Sequence, residues 1–186
     1  MEEKIGKLTI AAHHVMAALQ MIATRCNPYS IHLLAMAAEE IVESVAARQG
    51  IILPLSADRW IKPEHRKEWL KGKRKFSNFF KHADRDHDAE YVGPDVAELQ
   101  KLNDVLLLMV CYSLVELGYN SPAVFGAFTV LTFSIYPDIY DWEGFLAEHP
   151  MFKSIFDMHA GNISRREYEW LVARALTIHG ALDLEM

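Results

Sequence analysis

The sequence predicts an all-α fold, an antiparallel helical bundle, from three observations. Apolar residues recur about every 3.6 positions along most of the 186 residues. Helix caps and helix breakers separate these periodic stretches, and no stretch alternates in the way that β-strands do. The composition is 51% hydrophobic and 24% charged, so the chain can bury a core of its own without disulfide bonds.

The first two helices are predicted as a hairpin. The first covers residues 5–24 and ends before Asn27-Pro28, because the residue before a proline avoids helical geometry. The second covers residues 29–48, and Gly50 suits its C-cap. Since the connection between the two helices is short, we expect them to pack antiparallel.

Helix-capping and helix-breaking residues also divide the rest of the chain into predicted helices and loops. Lys62-Pro63 suits the first turn of a third helix, residues 84–93 have the composition of a loop, and Ser164 to Glu167 form a capping-box pattern. Further helices are expected at residues 62–83, 95–117, 121–137, 142–148, 151–158 and 164–179. We therefore predict one helical domain over residues 1–186, with a core bundle at about 5–136 and extra C-terminal helices as an appendage at about 141–180.

The longest uncharged run, Leu117–Tyr136, predicts a buried core helix and no membrane contact. Its solidly apolar part, residues 123–136, is 14 residues long. As a helix it would extend about 21 Å, whereas a bilayer core is about 30 Å thick. The acidic start, Met1-Glu-Glu-Lys4, does not resemble a secretion signal. Cys26 and Cys111 both lie in apolar surroundings, which predicts buried, inert thiols and a reducing, cytoplasmic compartment.

One segment differs in charge from the rest. The formal net charge is −6, but residues 62–82 contain eight Lys or Arg and two Glu, which gives +6 there and −12 elsewhere. A basic island in an acidic protein is typical of a docking site for an anion or for an acidic protein surface. A solvated helix surface has the same composition, so both interpretations stay open.

A helical wheel divides this segment into two faces. Arg74, Asn78, His82 and Arg85 fall within one narrow polar stripe. The side chains opposite the stripe are those of Trp69, Phe76, Phe80 and Ala83. We expect the aromatic rings to pack into the bundle and the polar stripe to face outward.

Within the stripe, Asn78-Phe-Phe-Lys-His82 resembles the later part of the Arg-Asn-x-x-x-His motif of HEPN domains. HEPN domains are small antiparallel helical bundles, often dimeric, and many of them cleave RNA without a metal ion. The resemblance implies a HEPN-like fold and makes Asn78 and His82 the candidate catalytic residues. Ser77 stands where the family has arginine.

Two neighbouring arginines could supply the guanidinium that Ser77 lacks. Arg74 lies one turn earlier on the same face, and Arg85 lies at the other end of the stripe. Because a guanidinium matches the geometry of phosphate, Arg74, Lys81 and Arg85 are the candidates for binding RNA or another anion.

A second resemblance covers about residues 8–150. It is carried by Ile31-His-Leu-Leu-Ala-Met-Ala-Ala-Glu-Glu-Ile-Val42 and by Asn78-Phe-Phe-Lys-His-Ala-Asp-Arg-Asp86. Both segments are similar to segments of a bacterial family of all-helical proteins to which no function is assigned. This resemblance therefore implies the fold class and a bacterial origin, and it implies no reaction.

Carboxylates and a histidine follow the basic segment in a pattern typical of a metal-binding loop. The candidate ligands are Asp84, Asp86, His87 and Asp88. A calcium loop would need glycine where Ala89 stands, and His87-Asp88 is also similar to the paired ligands of metal-dependent phosphohydrolases. The alternative is a polar loop in which an aspartate caps the chain and pairs with the basic helix. No cofactor is predicted.

On the second helix, His32, Glu39 and Glu43 lie close together beside the apolar face. A di-iron bundle requires Glu-x-x-His pairs, and the sequence contains none. We interpret these three residues as a solvated or interface flank.

Two functions of different classes remain. One is a helical interaction or assembly module that forms a homodimer, in which the basic helix and the acidic remainder serve docking. The other is a HEPN-like RNA- or nucleotide-binding protein, including a degenerate ribonuclease that needs no metal. An RNA affinity that weakens steeply with salt would favour the second function.

Overall fold

The computed structural model describes residues 5–53, 61–81, 95–136, 141–148, 150, 153 and 163–180. These residues form α-helices and no strand, so the predicted all-α class is confirmed. The helices are α1 Lys7–Ala23, α2 Pro28–Gln49, α3 Pro63–Lys81, α4 Val96–Glu116, α5 Ala123–Ile135, α6 Trp142–Glu148 and α7 Arg165–Ile178. The loop predicted at 84–93 and most of the helix predicted at 151–158 lie outside the described residues.

The hairpin of α1 and α2 forms as predicted. The side chain of Asn27 caps α2, since its Oδ1 accepts a hydrogen bond of 2.8 Å from the backbone N–H of Tyr29, and Pro28 is the first helical residue. Gly50 ends α2 with a φ of +67°, a conformation that costs glycine little. The two helices pack along their length, and α1 begins two residues later than predicted.

The central helix of the bundle is α4. Asp95 caps it by accepting a 2.9 Å hydrogen bond from the N–H of Glu98. Every residue from Leu102 to Cys111 is buried, so α4 is surrounded by other elements. Helix α5 forms from the predicted apolar run, and its Phe125 and Phe128 lie in the core. No helix within the described ranges is long and apolar enough to cross a membrane.

Helix α7 completes the bundle. Ser164 and Glu167 form the predicted capping box: each backbone N–H bonds the side chain of the other residue. The inner side of α7 places Tyr168, Val172 and Leu176 in the hydrophobic core. It packs against both α1 and α5, and it therefore shares the core with the earlier helices.

The two cysteines differ in their surroundings. Cys111 lies in the middle of α4 and is buried, as predicted, and burial raises the pKa of its thiol. Cys26 is exposed, so the prediction of a buried thiol is wrong there. The reason is its place in the connection between α1 and α2, which runs over the surface of the hairpin.

Candidate functional site

The predicted site falls on α3 and on the residues that follow it. Arg74, Asn78 and Lys81 lie in α3, which is continuous from Pro63 to Lys81. The side chains of these three residues lie outside the described part of the structure, and so do the whole residues His82, Asp84, Arg85, Asp86, His87 and Asp88. The catalytic, anion-binding and metal-binding assignments therefore stay predictions. Within the described residues, no three His, Cys, Asp or Glu side chains come together as metal ligands would.

Helix α3 is attached to the bundle by its apolar side. The side chain of Trp69 is only 8% exposed and belongs to the core, which confirms its predicted inward orientation. Leu70 packs beside it, and the main contacts of α3 are with α2 and α4. On the opposite side, Lys67, Lys71 and Lys75 are exposed. The helix thus presents amines to solvent along two turns.

The charges of α3 are distributed unequally along its length. Its first half, from Pro63 to Leu70, contains two Glu as well as Arg66 and Lys67, whereas residues 71–81 contain five Lys or Arg and no acid. Cations at the C-terminal end of a helix are stabilised by the helix dipole. The same arrangement gives this end of α3 a positive potential that attracts polyanions.

A buried cluster of polar side chains lies where α4, α5 and α7 meet. Asp104 of α4 is fully buried. Its Oδ2 accepts a hydrogen bond of 2.6 Å from the hydroxyl of Tyr136 and another from Nη1 of Arg165. Arg165 also donates to Tyr136 at 3.2 Å, and its guanidinium lies 5.0 Å from the ring of Tyr168. The first residue of α7 is therefore bound directly to the middle of α4.

Burial governs the protonation of this cluster. It raises the pKa of Asp104 to about 6, and the charge of Arg165 and the hydroxyl of Tyr136 act in the opposite direction. Burial acts to lower the pKa of Arg165, but the carboxylate of Asp104 outweighs this effect and raises it, so Arg165 stays charged. At neutral pH, Asp104 and Arg165 form a buried ion pair whose carboxylate takes up a proton in weakly acidic solution.

The cluster continues to the end of α1. Nε of Arg165 donates to Oε1 of Glu169 at 2.9 Å, and Nε of Arg25 donates to Oε2 of the same carboxylate at 3.0 Å. Arg25 follows α1 with a φ of +54°, a left-handed backbone conformation that is unfavourable for most residues other than glycine. Its ion pair with Glu169 connects the end of α1 to α7.

A second buried contact joins α2 to α4. Nδ1 of His32 lies 2.8 Å from Oδ1 of Asn103, whose Nδ2 donates to the carbonyl of Pro28 at 2.8 Å. Because Oδ1 can only accept, Nδ1 of His32 carries the hydrogen. His32 is fully buried and Glu39 is 5% exposed, so the prediction of a solvated flank is wrong for both, although Glu43 is exposed. The contact with Asn103 explains why His32 can be buried.

The buried cluster has a consequence for the surface of α7. Since Arg165 and Glu169 fix the inner side of the helix, they also determine which residues face outward. Four of these form the α7 outer face, namely Glu167, Trp170, Arg174 and Ile178. Trp170 is 56% exposed and Ile178 is 70% exposed, and the guanidinium of Arg174 lies 5.3 Å from the ring of Trp170. Tryptophan and arginine are the residues most enriched at the energetic centres of protein interfaces.

Neither the buried cluster nor the α7 outer face is among the predicted site residues. Asp104 carried a signal, because it directly precedes the apolar run from Val105 to Val110, and an aspartate buried with that run must be either paired or protonated. Its partner Arg165 lies 61 positions away, and no local pattern connects the two. The sequence does not predict the exposure of Trp170, since a tryptophan in an amphipathic helix is usually part of the core.

Comparison with known proteins gives no relative from which a role could be transferred. No family model, no curated protein and no solved structure matches this chain. The α7 outer face and the exposed side of α3 are therefore the two surfaces that bear on function.

Proposed function

We propose that this chain is an interaction or assembly module that forms a homodimer through the α7 outer face. The observation that carries this proposal is the exposure of Trp170, which is 56% accessible on a helix whose inner side is firmly fixed. An exposed tryptophan beside an exposed isoleucine and an arginine has the composition of an interface centre. The free thiol of the exposed Cys26 is compatible with a reducing, cytoplasmic setting.

The anchoring of α7 supports this role. Ion pairs from Arg165 and Glu169 hold the N-terminal half of α7 against α1 and α4, and Tyr168 bonds Thr132 of α5 at 3.0 Å. A binding surface on such a helix needs no ordering when the partner arrives, which lowers the entropic cost of association. The α7 outer face is thus presented in one orientation.

Sedimentation velocity over a hundredfold range of protein concentration tests the proposal. We expect the wild-type chain to shift from monomer to dimer across this range. The double variant Trp170→Ala/Ile178→Ala removes the apolar part of the face, and it should stay monomeric at concentrations where the wild type is dimeric. Val115→Ala is the matched control, because Val115 is also 56% exposed but lies on α4.

The outcome decides between clear alternatives. If the wild type is monomeric throughout, the chain does not form a homodimer and the proposal is wrong. If the double variant dimerises as well as the wild type, dimerisation uses another surface. A loss of dimer in Val115→Ala would also contradict the assignment to α7.

A second candidate function, HEPN-like binding of RNA or a nucleotide, is favoured by the charge of α3. Residues 71–81 hold five cations and no acid, and the exposed Lys71 and Lys75 stand one helical turn apart. Amines at this spacing can contact successive phosphates of a nucleic acid. In this function Arg74, Lys81 and Arg85 would bind the backbone, and Asn78 and His82 would act at the scissile phosphate or hold it.

Binding of a single-stranded RNA at several salt concentrations tests this candidate. Lys71→Gln/Lys75→Gln should weaken binding and reduce the slope of log affinity against log salt by about 1.4, because each phosphate contact on a single strand contributes about 0.7. Asn78→Ala and His82→Ala should abolish any cleavage and leave that slope unchanged. Equal binding by the wild type and the lysine variant would exclude α3 as the RNA site.

A further inference from the structure

We infer that α7 of one copy packs antiparallel against α7 of a second copy, with the two-fold axis passing beside Trp170. This inference rests on the homodimer proposed above and assigns its geometry. It follows from the order of the residues along the α7 outer face and from the charges that they carry.

The outer side of α7 is symmetric about the point between Trp170 and Leu171. Glu167 and Arg174 lie at equal distances from this point in the sequence. Glu167, Trp170, Arg174 and Ile178 are exposed. Charges of opposite sign therefore flank the central tryptophan at matching positions along the helix.

Antiparallel pairing makes this order self-complementary. The two-fold axis brings Glu167 opposite the partner's Arg174, and by symmetry Arg174 lies opposite the partner's Glu167. The two Trp170 rings lie side by side at the axis. A parallel arrangement would place Glu167 against the partner's Glu167 and Arg174 against the partner's Arg174, which is unfavourable.

The charged residues of the face are in suitable states for this pairing. The hydroxyl of Ser164 and its backbone N–H lower the pKa of Glu167, so its carboxylate is ionised at neutral pH. The capping bonds are made to Oε2 of Glu167, and its exposed carboxylate remains accessible from outside the helix. Arg174 is exposed and is oriented by its stacking on Trp170.

The expected dimer is weak. Stable interfaces bury about 1,600 Å² in total, and a single pair of helices of this length covers less than that. We therefore expect association to depend strongly on protein concentration and to respond to single charge changes.

Charge reversal in two separate variants tests the register. In Arg174→Glu, both ion pairs of the homodimer become pairs of carboxylates. In Glu167→Lys, both become pairs of cations. A heterodimer of the two variants has Glu167 opposite Arg174 on one side and Glu opposite Lys on the other, so attraction is restored at both places.

We expect each variant alone to associate at least about tenfold more weakly than the wild type, and the equimolar mixture to return to within about threefold of it. Sedimentation equilibrium with one variant carrying a fluorescent label measures the heterodimer directly. Arg166→Glu is the matched control, because Arg166 is also exposed but its position in this register lies opposite the partner's Ala175. Arg166→Glu alone should therefore associate to within about threefold of the wild type.

Circular dichroism of each variant separates loss of pairing from loss of folding. Glu167→Lys also removes the carboxylate of the capping box. If it lowers the helix content, Glu167→Gln takes its place, since glutamine keeps the capping box. Its mixture with Arg174→Glu then contains one ion pair per heterodimer, and it should associate more tightly than Arg174→Glu alone.

The results distinguish this inference from the function on which it rests. A wild-type chain that stays monomeric overturns the homodimer itself. A wild-type chain that dimerises, together with a mixture that binds no better than its components, overturns the antiparallel register but leaves the homodimer standing. A tenfold or greater weakening of association in Arg166→Glu alone would also overturn the register.

Discussion

Helices α3 and α7 both carry many charged residues, but they use them in opposite ways. In α7, Arg165 and Glu169 point into the protein and bind Asp104 and Arg25, while the outer face presents Trp170. In α3, Trp69 points into the protein, and Lys67, Lys71 and Lys75 are exposed. Two charged residues of α7 thus help to hold the fold together while its tryptophan is exposed. In α3 the tryptophan is buried and three lysines are exposed.

The difference shows that charge count alone does not locate a binding surface. The basic segment is the more conspicuous in the sequence, but the residue that most resembles an interface centre is on α7, where inward ion pairs of Arg165 and Glu169 fix the side that faces outward. Variants of Arg165, Trp69, Asp104 and Arg25 separate the contributions of the two helices.

Arg165→Met should destabilise the protein most. It leaves the buried carboxylate of Asp104 without its cation, and breaking a buried ion pair in this way typically costs about 3 to 5 kcal/mol. Urea unfolding at pH 7 measures the loss. Arg166→Ala, the exposed neighbour, should change the free energy of unfolding by less than about 0.5 kcal/mol. Equal effects of the two variants would mean that Arg165 does not anchor α7.

Trp69→Ala should release α3 from the bundle. Removing a buried tryptophan costs about 3 kcal/mol or more, and among the described helices α3 has its main contacts with α2 and α4. We expect backbone amides of α3 to exchange with solvent much faster, while those of α4 and α7 change less. Hydrogen exchange with mass spectrometry measures this difference. Uniform acceleration across all helices would show that α3 is an integral part of the core.

The protonation of Asp104 should make the free energy of unfolding depend on pH, with a sign that follows from its raised pKa. Burial raises its pKa from the ordinary value of 3.8 to about 6, so the folded state binds the proton more tightly than the unfolded state. Stability from this residue is therefore greatest below pH 4 and is lost as the pH rises through 6. Relative to Asp104→Asn, the wild type should lose on the order of 3 kcal/mol between pH 4 and pH 7. A difference that stays constant, or that grows with pH, would contradict the raised pKa.

The strained residue at the end of α1 should give the smallest effect. Arg25→Ala loses the ion pair with Glu169 and keeps the left-handed backbone, whereas Arg25→Gly loses the ion pair and relieves the strain. We expect the glycine variant to be more stable than the alanine variant by about 1 kcal/mol. Denaturant midpoints compare the two. A glycine variant that is the less stable of the two would show that position 25 is not strained.

The sequence was sufficient for the helical framework. Gly50 and Ser164 mark helix ends by local chemistry, and both act as predicted. Asn27-Pro28 follows the end of α1 as predicted, and Asn27 in addition caps α2. The inward orientation of Trp69 also follows from local periodicity alone. Such features depend on residues within one or two turns, which a sequence displays directly.

The tertiary contacts could not be predicted in this way. His32 was expected at a solvated flank because polar residues usually lie there, but Asn103 of another helix provides its partner. The links from Asp104 to Arg165 and from Arg25 to Glu169 join positions far apart in the chain. The exposure of Trp170 depends on which side of α7 these links turn inward, so it became visible only in the folded chain.

Hydroxyl-radical footprinting of the wild-type chain at low and high protein concentration is the most direct test of the α7 outer face as the assembly surface. We predict that the oxidation rate of Trp170 falls several-fold at high concentration, while that of Val115, which is equally exposed on α4, stays constant. Equal oxidation of Trp170 at both concentrations, in a sample that sediments as a dimer, would show that the chain assembles through a different surface.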